Sequence, residues 1–307
     1  MEDFVHLHVH TQYSILDGQA SVPKLVDKAI KDGMRGMAIT DHGNMMAIKE
    51  FFNYVKKVKG KAKDELKKAQ EKQAAIEAGT YTPQPDKNGK NPDSGKSQEE
   101  LLAECNRTIS AKQKVLDFKP IFGCEMYVSR RNDMRLKKEK IDSGGWHLVV
   151  LAKNETGYHN LIKLVSRSWT DGFYMRPRTD RHELEQFKEG LIVSSACLGG
   201  ELPRKVHDGL LPEAEETIQW YKQTFGDDYF IELQRHEVKD PTQRANRETY
   251  QIQKEVNAVL IELARKHDVK IICTNDSHFV DEENAEAHDR LICLSTNKDL
   301  DDPTRML

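Results

Sequence analysis

Seven short apolar runs recur along the chain, and most of them end in residues able to do chemistry: FVHLHVH, MAITDH, IFGCEMYV, HLVVLA, LIVSSACLG, YFIELQ and IICTNDSH. Segments with helical spacing follow most of them, as at 22–31, 45–58, 158–169, 213–224 and 242–267. This alternation predicts an α/β protein of parallel βα units. Seven parallel strands can form an open doubly wound sheet or close into a barrel, and periodicity does not choose between them. Either way, the polar residues at the strand ends are gathered on one C-terminal face, where such folds place their sites.

Composition narrows the class. With 307 residues, 32% charged and a net charge of -3, the chain reads as soluble and cytoplasmic. No run approaches the ~20 apolar residues of a membrane span, and the N-terminus lacks a signal-peptide pattern. Five cysteines without CxxC spacing argue for reduced thiols rather than a disulfide framework. Residues 60–118 break the rhythm with two polar helical segments around a Gly, Pro, Asn and Ser-rich stretch, and a mobile loop is expected at about 80–97. Two local basic runs stand out. Residues 56–72 hold eight lysines against three acids, and residues 130–140 hold six basic residues against two acids. Lys56, Lys57, Lys61, Arg130 and Arg131 are therefore candidate contacts to DNA phosphates, with a merely solvated surface as the alternative.

In FVHLHVH, His6, His8 and His10 alternate with apolar residues, so a regular strand would put all three imidazoles on one face, a metal-ligand arrangement. Asp41 and His42 in TDH, and Glu125 in GCE, are weak candidates individually. Asp276 and His278 in NDSH are stronger, because their spacing repeats the HxH arrangement after an apolar run. Cys197 follows another run and gains weight as a ligand from its His-rich company. His147 begins its run rather than ending it, so the strand-end rule does not place it.

Taken in order, HLHVHTQYSILDG, ITDHGN, GCEMYV, WHLVVLA, SACLGGELP and TNDSHFV resemble the PHP (polymerase and histidinol phosphatase) superfamily. More narrowly, they resemble the N-terminal PHP domains of bacterial replicative DNA polymerase III alpha subunits, of the DnaE type. The resemblance covers nearly the whole chain, as a single domain over 1–307. It implies a distorted (β/α)7 barrel, with the helical stretch at 60–118 inserted between strands 2 and 3, and a trinuclear metal site. Carried over motif by motif, the implied metal ligands are His8, His10, Asp17, His42, Glu125, His147, Cys197, Asp276 and His278, with His6 supporting them from behind. Glu125, Asp276 and His10 are the residues expected nearest the chemistry.

The implied cofactors are three divalent ions, zinc first, with manganese or iron also compatible with the donor set. Three carboxylates and a thiolate bring about four negative charges against six from the ions, so the loaded cluster stays net positive and suits a phosphate ester. The resemblance implies a metal-dependent 3′ to 5′ exonuclease acting on a DNA primer terminus. Its alternatives are a metal-braced module that supports the rest of the alpha subunit and docks a separate proofreading exonuclease subunit, or a pyrophosphatase. The polymerising carboxylates are not expected within this chain. A metal-dependent amidohydrolase would call for a lysine ligand where Glu125, His147 and Cys197 stand.

Overall fold

The computed structural model describes residues 4–85, 89, 91–302 and 304–305. Its strands are β1 (Gly36–Ile39), β2 (Lys119–Val128), β3 (Trp146–Ala152), β4 (Arg178–Thr179), β5 (Leu191–Ser194), β6 (Tyr229–Leu233) and β7 (Lys270–Cys273). Its helices are α1 (Val22–Lys31), α2 (Ile48–Glu77), α3 (Gln98–Asp117), α4 (Glu155–Thr170), α5 (Arg181–Gln186), α6 (Glu201–His207), α7 (Leu211–Phe225), α8 (Gln251–His267) and α9 (Ala285–Thr296). The sheet runs β1-β2-β3-β5-β6-β7, with β4 laid beside the end of β2. No helix among the described residues is long and apolar enough to cross a membrane.

The sheet is curled, and the N-terminal segment spans its two edges. On one side Ala38 N donates to His6 O at 2.8 Å; on the other His10 N donates to Ser277 O at 2.8 Å and Ser277 N to His8 O at 3.2 Å. The α/β barrel expected from the resemblance is thus present in distorted form. FVHLHVH is not a regular strand: it contributes one bridge to Met37 and one to Ser277. Its bonds to the β1 side run from Ala38 N to His6 O and from Thr40 N to Val9 O, three residues on this segment against two on its partner, so its alternation breaks and the three histidines do not share a face. His6 lies instead beside the Phe4 ring, 4.9 Å away, with Lys28 and Asp32 of the α1 end as its charged neighbours.

The all-parallel expectation also fails at one place. β3 runs antiparallel to both β2 and β5, while β1-β2, β5-β6 and β6-β7 are parallel. The cause is the connection. Between Val128 and Trp146 the chain forms only a short 3-10 turn at Lys140–Ser143, with no crossover helix to carry it back to the starting end of the sheet. The reversal puts the first residues of β3 at the end where its parallel neighbours finish, with His147 paired opposite Tyr127.

The main core lies between the sheet and α4, α6, α7 and α8, with Leu148, Val150, Leu161, Leu164, Ile218 and Leu260 among its buried members. A second cluster packs α1 and the start of α2 against β1 through Val22, Val26, Phe51 and Phe118. The 60–118 stretch is the outer half of α2 paired antiparallel with α3. Its contacts run from Lys112–Glu65 to Gln73–Asn106, over a small apolar cluster of Ile76, Leu101 and Cys105. Of the loop expected to be mobile, positions 86–88 and 90 lie outside the described residues. A neighbouring part is tied down, since Asp93 accepts from Lys72 Nζ at 2.7 Å and Tyr81 Oη at 2.5 Å.

Candidate metal centre

Each donor reaches the centre from a strand end or from the loop that follows one. His8 and His10 come from the N-terminal segment, Glu125 from β2, His147 from the start of β3, and His42, Cys197, Asp276 and His278 from just beyond β1, β5 and β7. Two of these loops pass through the left-handed region without glycine. Ala196 has φ +58° immediately before Cys197, and Asp276 itself has φ +49°. Such backbone is held only where its surroundings dictate it, and here it aims two ligand candidates inward.

Asp17 is placed by a tight loop. Ser14 N donates to Thr11 O at 2.8 Å and Gly18 N to Ser14 O at 2.7 Å. A Cβ at position 18 would stand 1.9 Å from the Thr11 carbonyl oxygen, so only glycine lets the loop close. Asp41, a weak ligand candidate from sequence, clamps this loop from below. Its buried carboxylate accepts from Thr11 N at 2.7 Å, Thr11 Oγ1 at 2.9 Å and Ser14 Oγ at 2.9 Å.

The nine ligand candidates meet. Three groups of donor atoms, each within 4.8 Å of one another, are His10 with His42 and His278, His8 with His10 and Asp276, and His42 with Glu125 and His147. They overlap at His10 and His42. Glu125 joins several donors: Oε1 lies 3.2 Å from His8 Nε2 and 2.9 Å from His147 Nδ1, and Oε2 lies 2.6 Å from His42 Nδ1. Asp276 Oδ1 stands 3.2 Å from His8 Nε2 and 3.1 Å from His10 Nε2. Asp17 Oδ2 is 3.1 Å from His42 Nε2, and Cys197 Sγ is 3.5 Å from His147 Nδ1. His8 and His10 are fully buried.

The imidazoles are oriented from outside the cluster. His8 Nδ1 donates to Glu232 Oε1 at 2.7 Å, and His10 Nδ1 to Ser14 Oγ at 2.9 Å, whose own hydroxyl donates to Asp41. His278 Nδ1 donates to the Asp276 carbonyl at 2.8 Å. Each bond engages Nδ1 and turns Nε2 inward, the orientation that metal-binding histidines require. Glu232 was not singled out from sequence. Its only signal is an acid inside the apolar run YFIEL, which the strand-end logic would have caught had it been applied to β6.

The electrostatics show what the cluster lacks. Burial opposes charge on His42, but the Glu125 and Asp17 carboxylates outweigh it and push its pKa up to about 10. His10 moves the other way, to about 3, through burial and the neighbouring His42 and His278. Glu125 and Asp276 are drawn well below the carboxylate range despite burial, by the histidines around them. Burial, then the carboxylates Glu125 and Asp276, lift the Cys197 thiol. Six buried atoms facing one another make no hydrogen bond among the described residues: His8 Nε2, His10 Nε2, His42 Nδ1, Asp17 Oδ1, Glu125 Oε2 and Asp276 Oδ1. They stand instead in ion-pair contact, His42 Nδ1 2.6 Å from Glu125 Oε2 and Asp276 Oδ1 3.1 Å from His10 Nε2, and buried imidazole and carboxylate donors converging in this way fit divalent cations.

The phosphate contacts expected from sequence separate. Lys56, Lys57 and Lys61 are exposed along α2 and touch no ligand candidate. Arg131 is committed to structure, since Nε and Nη2 grip Asp142 at 2.8 and 2.6 Å and Nη1 meets Glu139. Arg130 lies 4.5 Å over the ring of Trp146, the residue before His147, with Arg204 as its charged neighbour.

The PHP domain model matches residues 6–236, so Asp276 and His278 fall beyond the matched stretch although the fold brings them to the same centre. Curated relatives are DNA polymerase III alpha subunits. That of Borreliella burgdorferi is 34% identical over 99% of this chain and 20% of its own length. That of Treponema pallidum is 34% identical over the same shares. That of Thermus aquaticus is 33% identical over 98% of this chain and 19% of its own. The chain thus spans about a fifth of the curated relatives it matches. A solved structure from Bifidobacterium adolescentis overlays 91% of this chain and 88% of its own at 13% identity and a TM-score of 0.41, too weak a likeness to argue from. With three quarters of its length matched by one family model, the chain belongs to the PHP domain family.

Proposed function

We propose that the centre holds three divalent ions, zinc first, and hydrolyses the phosphodiester at a DNA 3′ end as a 3′ to 5′ exonuclease within a polymerase III alpha subunit. The observation that carries this reading is the convergence of nine donors, six of whose buried atoms make no hydrogen bond among the described residues. Divalent ions there supply positive charge to polarise a phosphate and to acidify a water. Manganese or iron would suit the carboxylate-rich portion.

The chain's own residues do the rest. Glu125, with its two oxygens toward different histidines, would bridge the groups, and Asp276 would link the two N-terminal histidines. His10 keeps its Nε2 free of a proton because Nδ1 donates to Ser14. His42 and Asp17 share a contact at the half-exposed side of the cluster, where a proton can pass to solvent. Arg130, exposed over the Trp146 ring and without a carboxylate partner among the described residues, suits a backbone phosphate.

The test is a chain purified with full metal occupancy and given a 3′-mismatched primer beside the His8→Ala and Asp276→Asn variants. Cutting in the parent that both variants lose supports the nuclease. Bound metal without cutting of the primer, a chromogenic phosphodiester or pyrophosphate would instead favour a metal-braced support that docks the rest of the polymerase and its exonuclease subunit.

A further inference from the structure

At the rim of the centre, a stapled loop turns its apolar side chains outward. Between α4 and β4, Phe173 and Met175 are 43% and 66% exposed, and Trp169 at the end of α4 is 44% exposed. Burying such residues is the usual outcome of folding, and this loop is held so that it cannot. Arg178 is fully buried, yet its guanidinium goes to two carbonyls, Gly172 O at 3.1 Å and Met134 O at 2.8 Å. A Cβ on Gly172 would stand 1.8 Å from the Arg178 oxygen, so the two ends of the loop are cinched together. At its tip Tyr174 N donates to Arg176 O at 3.1 Å, and Met175 sits at φ +61°.

The loop stands next to the metal ligands. Trp169 Nε1 donates to Gly43 O at 2.8 Å, one residue after His42. Arg176 lies 6.0 Å over the Tyr127 ring, which is 5.2 Å from the His147 ring and 6.0 Å from that of His42. Trp169 and Phe173 are stacked, with centroids 5.3 Å apart and planes 14° from parallel. A stacked, half-exposed aromatic pair with an exposed arginine that makes no ion pair among the described residues is the chemistry of a platform for an unpaired base and its phosphate. An apolar protein surface would account for the rings but not for the cation beside a phosphoester centre.

We propose that the Trp169–Phe173 stack, with Arg176 beside it, seats the unpaired terminal nucleobase of a DNA strand whose phosphodiester enters the metal centre. This rests on the phosphodiesterase reading above and gives it a preference for frayed or single-stranded ends, since a base must leave its own stack and pair to lie on the rings.

The test uses the whole chain stripped of metal, so that binding is read without cutting. Two labelled single-stranded oligonucleotides are compared by fluorescence anisotropy: one abasic throughout, the other carrying a base only at its 3′ nucleotide. The base should tighten binding about 10-fold, within the roughly 5- to 140-fold that stacking on an aromatic ring provides. Phe173→Leu, which keeps an apolar side chain but no ring, should abolish that difference, and Phe173→Tyr should restore it. Equal binding of the two strands by the parent, as a protein-docking surface would give, overturns the proposal, as does a difference that survives in Phe173→Leu. Base discrimination in a chain that, fully loaded with metal, cuts no phosphodiester would uphold the seat and remove only the nuclease.

Discussion

Glu232 should govern the metal centre without touching it. Its buried carboxylate accepts from His8 Nδ1 at 2.7 Å, Gln234 Nε2 at 2.9 Å, Ser194 Oγ at 2.5 Å and Thr274 Oγ1, three of the four at Oε1. In Glu232→Gln the amide oxygen can keep the Oε1 position and all three of its donors, while the Ser194 hydroxyl can rotate to accept from the new amide. No partner is stranded, and the loss is the charge assistance on these bonds, about 2 kcal/mol in all. In Glu232→Ala the His8 N–H loses its acceptor in a closed space and the Gln234 amide keeps only Thr274 Oγ1, costing about 3–5 kcal/mol. In Glu232→Ala the His8 ring loses the acceptor that fixes its tautomer, which should weaken metal affinity by about 10- to 100-fold, whereas Glu232→Gln keeps that acceptor and should weaken it less. Urea unfolding of the metal-free chain measures the first effect, and chelator competition the second. Equal unfolding midpoints and equal metal affinity in parent and Glu232→Ala would refute the argument that these four bonds orient the ligand.

Gly18→Ala drives a methyl group into the Thr11 carbonyl, so the Thr11–Gly18 loop must open and withdraw Asp17; a metal titration should show reduced occupancy, with a loss of stability of about 1–3 kcal/mol in urea. Arg130→Met should weaken binding to single-stranded DNA and lower the magnitude of its log–log salt slope by about 0.7. Arg131→Met should leave that slope alone but lower the melting temperature, because the buried Asp142, held at about 2 by the Arg131 guanidinium, loses its bidentate partner; matching DNA and melting behaviour in the two variants would contradict the division. Metal uptake should release protons, since His42 with a pKa near 10 is protonated in the metal-free chain at neutral pH and the ion must displace that proton. Affinity should therefore rise from about pH 6 to about pH 8, with proton release seen as buffer-dependent heat in calorimetry; pH-independent uptake would show that His42 is not displaced.

Much of the candidate ligand set was legible in the chain because its chemistry is local, while Asp17 and His147 entered only through the family resemblance. HxH, TDH, GCE and NDSH each place metal-competent side chains at or beyond an apolar run, and a sheet gathers such ends whatever the order of its strands. The βα rhythm was legible for the same reason, as hydrophobic periodicity is written residue by residue. Strand direction was not. His147 looked misplaced at the start of its run until the antiparallel β3 brought that start to the site face, and direction depends on how a connection of 17 residues crosses the sheet. The separation of His6 from its two neighbours arises because the N-terminal segment spends three residues where the β1 side spends two, between His6 and Val9, while it also meets Ser277, 268 positions from Val9. The fates of Arg130 and Arg131, adjacent and identical in sequence, were decided by Asp142 and Trp146, which only folding brings to them. Residue type and spacing thus determined which donors could bind an ion, while long-range pairing decided where each points and which charges remain free to meet a substrate.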